Sequence, residues 1–207
     1  MTIALMQTIA LLEMSITCSA LLILLVQVFT QNDISFAIKA LLVLVFTNLF
    51  FWPLGMSLEL PLAGYVRGAI GDLSIVTSLL LWSTLLPNQR ATPTPIKWVI
   101  VALAAVFYPF ALGFSMFDPY VWGYGSIAFL IGVLIFALVC GLSGWTKGVW
   151  IIGIVVIAWS FQLHESSNLW DYLLDPILAL WALFAAWSSM RRQQKEKARS
   201  GYLFRPG

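Results

Sequence analysis

Residues 164–176, HESSNLWDYLLDP, gather the chain's only histidine, His164, with three of its nine acidic residues, Glu165, Asp171 and Asp175. An imidazole beside carboxylates is the material of acid–base catalysis or metal binding. HESSN begins like the helical zinc motif HExxH, but Asn168 stands at the fifth position, and one histidine cannot make a two-histidine site. A mixed set of His164, Glu165 and Asp171 would come from a loop, without the helical spacing that fixes ligands on one face. The expectation is therefore no metal, and nothing in the chain calls for a cofactor.

GLSG at 141–144 resembles the serine motif of rhomboid intramembrane proteases, with His164 downstream. The resemblance is four residues long and implies a serine–histidine dyad. Ser143 and His164 fall at opposite ends of one apolar run, about 30 Å apart by bilayer thickness, whereas such a bond needs about 3 Å. GLSG reads instead as a turn. The last apolar run has no lysine for a retinal Schiff base, and no glycine-rich phosphate loop is present.

The carboxylates remain. Asp118-Pro119 and Asp175-Pro176 share the pattern of an aspartate cap before a proline at the first helical position. For Asp118 a full apolar run follows. For Asp175 only about 15 residues, roughly 22 Å of helix, precede the tail arginines. The last helix is therefore expected to start at Asn168, with Asp171 in its first turn and Pro176 kinking it below the surface. Structural cap and functional carboxylate both stay open for Asp175. Glu13 lies near the centre of the first apolar run, where a charged acid costs at least ~2.5 kcal/mol. It is expected to be neutral or paired, with Asn48 or Arg67 as partner. A candidate polar cluster follows, comprising Glu13, Arg67, Asp72, His164, Asp171 and Asp175, in which Glu13, Asp72 and Asp175 line one outward-opening cavity with Arg67 as counter-charge.

Only 10% of residues are charged and 61% are hydrophobic, a balance that makes lipid the main solvent. A membrane-spanning helix needs roughly 20 apolar residues, and such runs lie at about 3–29, 37–54, 67–86, 96–116, 120–141, 147–163 and 169–190. The expected fold is an all-α integral membrane bundle of about seven transmembrane helices. Residues 1–190 form a single transmembrane domain and 191–207 a short basic tail. Glu13 and the missing basic region argue against reading the first run as a signal peptide. Cys18 and Cys140 stand alone in apolar runs, as packing residues.

The tail carries Arg191, Arg192, Lys195, Lys197, Arg199 and Arg205, and by the positive-inside rule it is cytoplasmic, which puts the N-terminus outside. Lys39, Arg90, Lys97 and Lys147 then fall inside and only Arg67 outside. Glu59, Asp72, Asp118, Glu165, Asp171 and Asp175 fall at or near the outer surface, Asp33 and Glu196 inside. Aromatic residues cluster at the run ends as an interface belt, with Trp170 and Tyr172 outside and Trp98, Trp145 and Trp187 inside. Two strips, Gly64, Gly68 and Asp72 with Gly71, Ser74 and Ser78, and Asp171, Asp175, Ala179, Ala182, Ala186 and Ser189, are the expected helix contacts.

With no catalytic set surviving, the leading expectation is a non-catalytic subunit or assembly partner of a larger membrane system. A small proton-coupled transporter using Glu13 and the outer carboxylates, and an enzyme acting on a lipid head group, are the alternatives. The expected surroundings are the lipid bilayer of a bacterial cytoplasmic membrane and a membrane-protein partner or second copy, with no nucleic acid.

Overall fold

A computed structural model describes residues 3–31, 34–55, 59–114 and 116–203, with side chains through 196. Asp33 and Arg205, and the side chains of Lys197 and Arg199, lie outside the described residues. The chain is all-helical, with no strand among the described residues. Three helical stretches, Ile3–Thr30, Thr94–Ala111 and Leu169–Glu196, are long and apolar enough to cross a membrane, and Phe36–Phe51, Ile127–Leu142 and Thr146–Ser160 are shorter apolar helices. The protein is thus a membrane protein by length and composition of its helices.

The chain divides into two units. The larger comprises 1–90 with 121–175, the smaller 91–120 with 176–207. In the larger unit α1 (Ile3–Thr30) is the central element, and α2 (Phe36–Phe51), α3 (Leu62–Ile70) and α4 (Ile75–Ser83) pack on it. The small residues Ala10, Ser15, Thr17, Cys18, Ser19 and Ala20 of α1 are buried, which lets its neighbours approach closely. Its hydroxyls do not go unpaired: Ser15, Thr17 and Ser19 each donate to the carbonyl four residues earlier. Ser19 also meets Thr47 of α2, and the Trp82 indole of α4 donates to Thr17 at 3.1 Å. Met14 and Cys18 form one apolar cluster with Ala63 and Leu73, and Ala20 and Ile23 another with Leu85. Outer faces are apolar as well: Leu41, Leu44 and Val45 of α2 are exposed, as lipid-facing positions would be.

α6 (Ile127–Leu142) packs on α7 (Thr146–Ser160), and α7 on α4 and the short α8 (Leu169–Leu173). The GLSG segment is a turn between α6 and α7, with Gly144 at φ +74 and the Ser143 hydroxyl held by the Cys140 carbonyl. In the smaller unit α5 (Thr94–Ala111) packs on α9 (Pro176–Leu203), and Lys97 Nζ donates to Ser189 Oγ at 2.9 Å. The buried line Leu178, Ala182, Ala186 continues the small-residue strip expected for this helix.

Three expected helices are drawn differently. The run 67–86 is not one helix: Gly71, at φ +79, ends α3, and α4 restarts after the N-cap Ser74. The run 120–141 starts helically only at Ile127, because Pro119–Gly123 forms a 3-10 turn whose Tyr120 N–H bonds to Asp118, and Ser126 is the cap of α6. The run 169–190 begins at Asn168 as expected, but α8 ends at Leu173 and Pro176 opens a new helix rather than kinking the old one. α9 continues past 190 into the basic tail as far as Leu203. Of the glycines expected to line a helix contact, Gly68 has open space around it, and Ala63 is the residue of α3 that is buried.

Candidate functional site

The polar residues of the larger unit meet where the loop 161–168 folds back on α1. α7 closes with a left-handed Gln162, at φ +49, whose neighbour Leu163 donates to the Ala158 carbonyl, a Schellman-type end. The chain then turns into the bundle. Its His164 is 4% exposed, and the buried Tyr172 of α8 holds it there. The phenol accepts the His164 N–H at 3.0 Å and donates to the Ser166 carbonyl at 3.0 Å, while its ring stacks on the imidazole at 4.7 Å between centroids. Ser167 contributes its carbonyl to the Trp159 indole, and Asn168 caps α8 by accepting the Trp170 N–H. Gly123 lies against that cap so closely that a Cβ there would fall 1.6 Å from Asn168 Oδ1.

His164 Nε2 lies 3.0 Å from Glu13 Oε2. This corrects the expected partner of Glu13. The Asn48 side chain donates to the Leu44 carbonyl within its own helix, and Arg67 is engaged elsewhere. The Arg67 guanidinium grips both oxygens of Asp72 and also donates to Glu165 Oε1 at 2.9 Å. Asp72 thus has a bidentate, charge-assisted partner in Arg67. The Arg67 guanidinium is raised, mainly by its bond to Asp72.

Glu13 and Asp72 line one small cleft with Thr17 and Ser78. Asp175 is not among its lining residues. It is buried, 6% exposed, and its carboxylate accepts the Ser74 N–H at 2.8 Å and the Thr77 hydroxyl. Those groups begin α4, so Asp175 caps a helix distant in sequence. Asp171 takes the Ser166 hydroxyl and steadies the loop. The structure thus brings Glu13, His164, Asp72 and Arg67 to one place and uses Asp171 and Asp175 beside it. The mixed metal set is dispersed, since His164, Glu165 and Asp171 face Glu13, Arg67 and Ser166 respectively. Among the described residues no group of three or more His, Cys, Asp or Glu could hold a metal ion.

Tyr172 and Ser78 belong to this site and were not read as such from the sequence. Tyr172, Trp170 and Trp145 are buried, not part of a lipid-interface belt, and Trp170 packs on Phe129 at 4.3 Å between ring centroids. Chemically, a carboxylate bonded to an imidazole can take up or release a proton while the bond between them persists. No family model, curated protein or solved structure matches the chain.

Proposed function

We propose that the protein is a small proton-coupled membrane carrier in which Glu13 is the proton-exchanging group and His164 its partner. One observation carries this reading: the carboxylate within the long apolar α1 is hydrogen-bonded to the chain's only histidine, while its second oxygen is buried without a partner. Ionisable side chains inside membrane segments are costly and mark ion and substrate pathways. Irregular backbone at membrane depth is tolerated where it lines a cavity or is buried in protein, and interrupted helices are the usual frame of carrier sites. The breaks at 71–74 and 174–175, with the inward loop 161–168, supply such a frame. The expected role as a non-catalytic subunit gives this pair no task, and a lipid-directed enzyme would need acid–base groups open to a head group, whereas His164 is buried.

In this reading the chain lies in a bacterial cytoplasmic membrane with about seven crossings, N-terminus outside and C-terminus inside. α1, α2, α5, α6 and α7 make five of them. A sixth runs from Asp72 through α4 to about Leu86, with α3 resting on the outer surface and Arg67 and Asp72 at the rim. α8 and α9 together make the seventh. Support for the orientation is the excess of basic residues at the ends assigned to the inside, against Arg67 alone outside.

The test uses the full chain in proteoliposomes loaded with a pH-sensitive dye. Amino acids, carboxylic acids and sugars are added outside in turn at equal pH on both sides. At least one solute class should drive proton movement above that of empty vesicles, and Glu13→Gln and His164→Gln should each abolish it. If no class does so, and purification in mild detergent instead yields a stoichiometric membrane partner, the carrier reading fails and the subunit reading replaces it.

A further inference from the structure

The Glu13 carboxylate is only half satisfied. Oε2 faces His164, while Oε1 is buried with no hydrogen-bond partner. On α4, Ser78 is 1% exposed and its hydroxyl is also without a partner. These two residues line the same cleft, whose remaining wall is largely apolar, with Ala10, Met14 and Leu73. The Thr17 hydroxyl in that wall is already committed, donating to the Glu13 carbonyl and accepting from Trp82. The cleft offers about 10 Å³ to the centre of a water molecule. One water needs roughly 10–15 Å³ by that measure, together with two to four polar partners. Size and chemistry therefore agree: the space suits one water, and two orphaned polar atoms belong to residues facing it. Asp72, whose side chain is 28% exposed, also lines the cleft, so a partly open carboxylate and a closed hydroxyl share it.

We infer that this cleft is a single-water site whose water bridges Glu13 Oε1 and Ser78 Oγ and passes protons between the Asp72 rim and Glu13. The relay rests on the carrier reading above, whereas the water site stands on the cavity alone. On uptake the bridging water receives a proton from outer water. An O–H bond of that water then breaks as one forms at Glu13 Oε1, leaving the water neutral and the carboxyl protonated. The contact between His164 Nε2 and Oε2 persists throughout. Release runs in reverse. Asp72 is no station in this path, because Arg67 keeps it ionised; its negative charge favours a proton in the cleft, and Arg67 and Glu165 complete the charged groups around it.

Infrared difference spectra of the full chain in lipid films, recorded between two pH values, test the site with water itself as the probe. The wild type should show a water O–H stretch that shifts when H2-18O replaces ordinary water. Ser78→Val, which fills the cleft, should abolish that band and slow solute-driven proton uptake at least tenfold. Ser78→Ala, which removes the hydroxyl without adding bulk, should move the band rather than erase it, and it keeps the test open should the valine variant misfold. A wild type without an isotope-sensitive band that either variant alters overturns the water site. Loss of the band with undiminished proton uptake overturns the relay. A wild type that shows the band but moves no protons with any solute overturns the carrier reading and the relay together, while the band still establishes the water site.

Discussion

Asp175 separates a structural cap from a functional carboxylate, and the two roles predict opposite behaviour for Asp175→Asn and Asp175→Ala. The carboxylate accepts the buried Ser74 N–H at 2.8 Å and the Thr77 hydroxyl. Alanine removes Oδ2, the one oxygen that accepts both bonds. Thr77 keeps its 2.9 Å bond with Ser74 Oγ, so the main loss is the main-chain N–H at the start of α4, which is left dry. A hydrogen bond to a charged group contributes about 1.5–3 kcal/mol, and a stranded buried donor costs about 1–3 kcal/mol. These overlap, so Asp175→Ala should destabilise by about 2–4 kcal/mol. Asparagine retains a carbonyl oxygen for Ser74 and should cost about 1 kcal/mol. For a chain of this size each kcal/mol lowers the unfolding midpoint by about 2–4 °C. Thermal unfolding in mild detergent, followed by tryptophan fluorescence, should place Asp175→Ala about 4–16 °C below wild type and Asp175→Asn about 2–4 °C below it, with Asp175→Asn still moving protons with solute. The cap assignment is refuted if Asp175→Asn has a wild-type midpoint but no uptake, or if alanine costs no more than asparagine.

Three further substitutions probe the surroundings of the site. Arg67→Gln should destabilise by about 1–3 kcal/mol at neutral pH and lower the unfolding midpoint, because it takes away the guanidinium that grips both oxygens of the partly buried Asp72 and leaves that carboxylate unpaired. A wild-type midpoint in this variant would contradict the pairing. Gly123→Ala should cost about 1–3 kcal/mol, because its Cβ would overlap Asn168 Oδ1 at 1.6 Å and displace the cap of α8. Gly68→Ala, with no atom within 4 Å of its Cβ, should be neutral or slightly stabilising in the same melt, and equal midpoints for these two alanine variants would show that the Gly123 contact is not tight.

Apolarity alone located helical chain in every one of the seven runs, since lipid-facing and buried positions alike must be apolar and the backbone must bond internally. It could not locate the breaks. The run 67–86 is apolar on average despite Asp72 and Ser74, and what interrupts it is a left-handed glycine followed by a capping serine, a local signal that its mean hydropathy conceals. At 175–176 the signal was visible, an aspartate followed by proline, but the distance to the tail arginines argued against a helix start. The distance counts against a helix start only if the helix ends at the first arginine. In fact α9 carries its basic residues on helical turns as far as Leu203. The residues of the cluster were legible by type, because a glutamate in an apolar helix and a lone histidine between two others are conspicuous. Their pairing was not. Glu13 and His164 are 151 positions apart, and the inward fold of 161–168 that joins them depends on Tyr172, whose aromatic type fits an interface belt equally well.

The two interruptions answer one another. Ending α3 at Gly71 exposes the first N–H groups of α4 inside the bundle, where no water is assured. Ser74 supplies one acceptor through its own hydroxyl, to Thr77 N–H, but its main-chain N–H needs another from outside the helix. That acceptor is Asp175, which is free to reach it because α8 has stopped at Leu173 and Leu174 is extended, with φ −141 and ψ 128. A continuous helix through 169–190 would wind residue 175 onto its own surface and remove this geometry. The break at 174–175 therefore stabilises the break at 71–74, and Asp72 and Ser78 line one cleft with Glu13. Healing one break while leaving the other intact would strand a buried polar group, so the pair should tolerate substitution together better than singly.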